Sequence, residues 1–129
     1  LIGVPGIERL ARERYGSAVP AHDVIAAARA GTDPTATAIM TQIGTWLGQT
    51  LASLSVIFYP HRIALTGGTA SAGTVLLDAC RAQFDALVGD FFRDLAANTG
   101  GSFRDVEIVL GEGGADTGTL GAAVELFRR

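Results

Sequence analysis

Arg62-Ile63-Ala64-Leu65-Thr66-Gly67-Gly68-Thr69-Ala70-Ser71-Ala72-Gly73 is the stretch on which the fold of this chain turns. The short run Arg62 to Thr66, bounded by Pro60 and by a glycine pair, predicts a buried parallel strand. Gly67 and Gly68 then let the backbone turn sharply and leave no Cβ to hold off a flat or charged ligand. A loop is expected over Thr69 to Gly73. Helical periodicity returns from about Thr74, through Val75, Leu76, Leu77, Cys80, Phe84 and Leu87. Strand end, glycines and helix in that order form the arrangement by which α/β proteins hold phosphates and nucleotides. A tight strand-to-helix turn without a ligand needs the same two glycines, and the residues alone leave both readings open.

Toward the C-terminus the helical pattern continues past Gly89, where a break or kink is expected, through Phe91, Phe92 and Leu95 to Gly100-Gly101. Val106 to Leu110 reads as a second strand. The glycine-rich stretch Gly111 to Gly118 leads into a final helix over about 115–127. That stretch is neither a dinucleotide fingerprint, since Asp116 stands where the third glycine belongs, nor a P-loop, since Thr119 replaces the lysine. Asp116 reads first as a helix N-terminal residue meeting the macrodipole.

Toward the N-terminus, Asp33-Pro34 predicts the start of a long helix, with Asp33 as N-cap and Pro34 in the first turn, ended by Pro60. No charged residue falls between Asp33 and Arg62. Thr37, Thr41, Thr45, Gln49 and Ser53 nonetheless form a polar stripe opposite Ile39, Ile43, Leu47, Leu51, Leu54 and Phe58. A membrane span would not carry that stripe. The expectation is a central helix packed between two protein layers. Two shorter helices precede it, Gly6 to Tyr15 with Ile7, Leu10 and Ala11 on one face, and Pro20 to a C-cap at Gly31. The predicted order is α-α-α-β-α-β-α with a parallel β-α-β unit and a right-handed crossover. Two parallel strands need covered faces and more neighbours, so either another chain completes the sheet or this is part of a larger one.

Composition narrows the function. The chain has 129 residues, 17 of them glycine, and its ten basic side chains are all arginine against 13 carboxylates. Without lysine there is no Schiff-base chemistry, no lysine general base and no P-loop lysine. A formal net charge of −3 with scattered arginines gives no footprint for nucleic acid. Cys80, His22 and His61 stand at no zinc-like spacing; Cys80 reads as a buried hydrophobe and the histidines as surface or loop residues. Asp78, Asp85, Asp90 and Asp94 read as a solvated helix face. The chain opens on Leu1, with no signal peptide pattern, and reads as cut from something longer.

Asp33-Pro34-Thr35-Ala36, Trp46-Leu47-Gly48, Tyr59-Pro60 to Thr66-Gly67-Gly68, Ala72-Gly73 to Leu76-Leu77 and Gly118-Thr119-Leu120-Gly121-Ala122-Ala123 resemble, in order, the carboxyl-terminal half of the ROK family. That family comprises bacterial sugar kinases and sugar-responsive repressors with the actin-like ATPase (ribonuclease H-like) fold. The resemblance implies that residues 1–129 are a single partial domain of a C-terminal lobe. It implies that Gly67 and Gly68, with Thr66 and Thr69 at the edge, form the adenosine side of an ATP site. The phosphate loops, the catalytic aspartate, the zinc-site histidine and cysteines and most sugar contacts of the family would lie upstream. In the whole protein that aspartate would deprotonate a hydroxyl of a hexose or N-acetylhexosamine for attack on the γ-phosphate of ATP, with Mg²⁺ neutralising charge. The resemblance thus implies a cytoplasmic sugar kinase in which this chain alone is inactive. The alternative is the effector-sensing and oligomerisation domain of a repressor, which an upstream helix-turn-helix would reveal. The exposed sheet edge itself predicts that the chain, folded alone, self-associates as a dimer covering the edge next to Arg62 to Thr66 or the uncharged stripe of Thr41, Thr45 and Gln49.

Overall fold

The computed structural model describes residues 2–100 and 105–112. Three helices come first: α1 (Val4–Tyr15), α2 (Ala21–Ala30) and α3 (Pro34–Phe58). Strand β1 (Arg62–Leu65) follows, then a 3₁₀ turn (Gly68–Ala72), α4 (Thr74–Phe84), a π-helical turn (Asp85–Gly89), α5 (Asp90–Asn98) and β2 (Glu107–Leu110). The final helix expected over 115–127, with Asp116, lies outside the described residues.

Local chemistry sets most boundaries. Asp33 caps α3, its Oδ1 accepting from the Thr35 amide at 2.7 Å and the Ala36 amide at 3.3 Å. At the other end Pro60 disfavours right-handed helix in the residue before it, and Tyr59 takes φ 48° and ψ 51° while its amide still bonds the Ser55 carbonyl. Gly16 and Gly31 close α1 and α2 as left-handed C-caps. At Gly89, where a break or kink is expected, a π-helical turn joins α4 to α5 and helical dihedrals continue through it.

The strands pair in parallel, Arg62 opposite Glu107, Ile63 opposite Ile108 and Leu65 opposite Leu110. At the exposed start of the pair, Arg62 Nε donates to Glu107 Oε2 at 2.7 Å. From α4, Arg81 donates through Nε and Nη2 to the Ile108 carbonyl at 2.9 and 2.6 Å, pinning β2.

Two cores meet along α3 and α4. The first joins Ile7, Leu10 and Ala11 of α1 to Val24, Ile39, Met40, Ile43 and Leu76. In the second, Leu65, Leu77, Cys80 and Ile108 surround Phe84 and Phe92, whose rings stack at 6.0 Å. Burying a side chain such as Phe84 contributes about 1.5–3 kcal/mol. What lets α3 and α4 share both cores is glycine. A Cβ on Gly44 would lie 2.6 Å from the Leu76 carbonyl oxygen, and one on Gly48 2.3 Å from that of Cys80, so the two backbones nearly touch.

The expectation of a central helix between two protein layers needs correction. Thr41, Gln49 and Ser53 are exposed. Three of the stripe's hydroxyls bond their own helix, Thr37 Oγ1 to the Asp33 carbonyl at 3.0 Å, Thr45 Oγ1 to that of Thr41 at 3.0 Å and Ser53 Oγ to that of Gln49 at 3.3 Å. The apolar face also leaves the core before the helix ends. Leu54 is exposed, and Ile57 and Phe58 are 68 % and 72 % exposed. No helix among the described residues is long and apolar enough to cross a membrane.

One contact ties α1 to the α3 cap. Tyr15 donates its hydroxyl to Asp33 Oδ2 at 2.5 Å. That bond first of all holds the Asp33 carboxyl below its usual range; burial opposes it, and the two capping amides lower it further. Burial, followed by the same hydrogen bond and the carboxylate charge, pushes Tyr15 from 10.0 up to about 12. Asp33, with its folded pKa depressed, contributes stability that is present above the ordinary carboxylate pKa of about 4 and lost as pH falls through its folded value. Tyr15, raised, contributes stability that is complete below pH 10 and lost as pH rises through about 12. Urea midpoints followed from pH 7 to pH 3 should fall less steeply in Tyr15→Phe than in the unchanged protein; parallel curves would show that the bond is not coupled to folding.

Candidate functional site

The carboxyl ends of both strands open on glycine. After Leu65, Gly67 takes φ 87° and ψ 180°, a conformation essentially restricted to glycine. Its carbonyl accepts from the Ala70 amide at 3.1 Å, and the Ala70 carbonyl accepts from the Gly73 amide at 3.0 Å, which winds the predicted loop into a 3₁₀ turn. Ala72, 1 % exposed, anchors that turn in the first core. The Gly73 carbonyl then accepts from the Leu77 amide as α4 begins. From the neighbouring strand end the Gly111 amide donates to the Leu65 carbonyl at 2.8 Å. A Cβ at Gly111 would meet Thr66 Cγ2 at 2.4 Å, so both glycine segments of the sequence converge on Thr66.

Two cavities flank the turn. A groove of about 640 Å³ runs between α2 and the turn, walled by Val4, Ile25, Ala26 and Arg29 on one side and by Gly68, Thr69 and Ser71 on the other. A smaller cavity of about 220 Å³ lies over the strand ends, between Thr66, Ser71, Gly73, Leu110 and Gly111. Three of the four expected site residues therefore border open space: Thr66 the small cavity, Gly68 and Thr69 the large one. Gly67 shapes the turn between them. Thr69 spends its hydroxyl on the Ile2 carbonyl, at 3.4 Å. The apolar wall supplied by α2, and Arg29 with it, is absent from the sequence reading. Its only trace in the sequence is the apolar stretch Val24 to Ala28, which looks like any core-facing helix.

The remaining candidates are not brought to this site. His22 and His61 are exposed, and His22 Nε2 lies 3.1 Å from the neighbouring Asp23 Oδ1. Cys80 is buried, and that burial, slightly offset by Arg81, pushes its thiol up to about 11, away from nucleophilic use. Asp78, Asp85, Asp90 and Asp94 are exposed, as their spacing suggested. Among the described residues no group of three or more His, Cys, Asp or Glu could hold a metal ion. The arrangement offers shape, backbone amides and hydroxyls rather than an acid, base or nucleophile.

These features define an α/β protein, mostly helical, with a small parallel sheet whose carboxyl end opens into a groove. The chain belongs to the ROK family, whose model matches residues 2–128. Among solved structures it is similar to a ROK family glucokinase from Streptomyces griseus in complex with glucose and AMPPNP, with a TM-score of 0.66 and 25 % sequence identity. The match covers 94 % of this chain and 36 % of that one, so the chain spans little more than a third of the glucokinase's length. No curated protein matches it.

Proposed function

We propose that this chain is the carboxyl-terminal part of an ATP-dependent ROK-type sugar kinase, in which Thr66, Gly67, Gly68 and Thr69 line the adenosine side of the ATP site. The observation that carries this reading is the groove over Gly68 and Thr69, open at the carboxyl end of β1 and walled by α2. Its volume of about 640 Å³ suits a drug-sized ligand. The glucokinase it resembles was solved with AMPPNP and glucose.

In this reading the chain's own residues bind and orient. The groove takes the planar base, and the backbone at Gly68 meets the nucleotide without a Cβ between them. Mg²⁺, the sugar and the proton-abstracting carboxylate belong, in this reading, to the rest of the protein. Exposed Ile57 and Phe58, together with a sheet of two strands, support a cover formed by that remaining part or by a second copy. A cytoplasmic location goes with this reading.

The test is titration of the protein, as its cell makes it, with AMPPNP, followed by amide chemical shifts. Saturable binding with the largest shifts at Gly67, Gly68 and Thr69 is expected, and the 129-residue chain alone should not phosphorylate glucose. Saturation with shifts elsewhere, or activity of the isolated chain, would overturn the assignment.

A further inference from the structure

The two cavities beside the glycine turn share two residues, Ser71 and Arg29. Arg29 sits in the last turn of α2, where a cation complements the helix dipole. That accounts for a basic residue at this end of the helix, but not for its place between an apolar groove and a cavity over two strand ends. The chain carries 13 carboxylates, yet none is among the described residues that wall either cavity. Arg29, like Arg12 and Arg14, has no hydrogen-bond or ion-pair partner among the described residues, whereas Arg62, Arg81 and Arg93 are each engaged; of the first three, only Arg29 borders the glycine turn. The other ionisable group on these walls, His22, lies against Asp23.

We propose that Arg29 is the cation that meets the phosphate nearest the ribose of a nucleotide lying along the two cavities, a contact that rests on the nucleotide reading above. The compartments differ in the way such a ligand requires. The larger is apolar on its α2 side and accepts a planar base. The smaller is bordered by the Thr66 and Ser71 side chains at the carboxyl ends of parallel strands, where α/β folds place phosphates. A ligand with its base in the first and its phosphate toward the second must pass Arg29. In a chain without lysine, a guanidinium is the side chain available to neutralise that phosphate, and its planar fork can donate two hydrogen bonds to it.

The experiment compares adenosine with AMP by calorimetry on the protein as its cell makes it, unchanged and as Arg29→Gln, Arg29→Met and Arg29→Lys. The unchanged protein is expected to prefer AMP to adenosine by about tenfold, the scale of a charge-assisted hydrogen bond. Arg29→Gln and Arg29→Met should lose that preference, Arg29→Lys should keep most of it, and adenosine should bind all four alike. Equal weakening of adenosine and AMP would reduce Arg29 to a packing residue and overturn the proposal. A preference for AMP that survives in both neutral variants would also overturn it while leaving the nucleotide reading intact. Failure of the unchanged protein to bind either ligand would overturn that reading and the arginine's role together. Arg29 is exposed, and Arg29→Met keeps much of the apolar stem, so at least one neutral variant should fold; matched melting curves establish this.

Discussion

Replacing Gly48 by alanine is expected to lower the stability of the protein by about 1–3 kcal/mol, read as a drop in urea midpoint at unchanged m-value. Two effects of opposite sign compete. Alanine is the better helix former, and in an open helix interior the exchange would stabilise by about 1 kcal/mol. At this position the new Cβ would fall 2.3 Å from the Cys80 carbonyl oxygen and 3.0 Å from Gln83 Cβ. The first of these is backbone and cannot swing aside, so α3 and α4 must separate, loosening both cores at once. Overlap should therefore outweigh propensity. Gly44→Ala, at 2.6 Å from the Leu76 carbonyl oxygen, should act in the same direction. A variant more stable than the unchanged protein would mean that the helices can part without cost, and that their close approach does not hold the fold.

Gly67→Ala should weaken AMPPNP binding by more than tenfold in Kd, while costing only about 1–3 kcal/mol of stability. No atom lies within 4 Å of a Cβ built on Gly67, so crowding plays no part. The cost is conformational: φ 87° with ψ 180° lies where an L side chain is strained by about that amount. The backbone can relieve the strain by turning the peptides on either side, and those peptides carry the Gly67 carbonyl that winds the 3₁₀ turn. The groove wall at Gly68 and Thr69 would move with it. Gly68→Ala separates shape from contact. Gly68 has open space at its Cβ position and no left-handed φ, so the fold should be indifferent to that change. Any loss of affinity in Gly68→Ala then measures how closely the ligand approaches the backbone. Unaltered binding in Gly67→Ala would remove the turn from the site.

The residues that the sequence made legible are those whose partners lie within a turn or two. Asp33 announces its cap because the amides it accepts from are two and three residues ahead. Gly67 and Gly68 follow an apolar run directly, and turn, strand and α4 appear where that spacing puts them. Where the reading failed, it assigned a distant partner to something satisfied locally. The polar stripe of α3 looked like one face of a contact between layers, yet three of its hydroxyls close on carbonyls four residues back.

The sequence by itself determined the strand, its glycine turn, the capped helix before it and, through ordered resemblance, the family. These rest on short-range sterics and hydrogen bonds that any fold would have to respect. Only the tertiary structure decided which glycines carry helix against helix, that Gly111 lies against Thr66, and that Arg29 stands between two cavities with no carboxylate among the described residues of their walls. Nothing in the spacing of Gly44 and Gly48, or in one more arginine at a helix end, encodes the element packed against it. That depends on how α2, α3 and α4 are brought together, by burial shared among residues far apart in the chain.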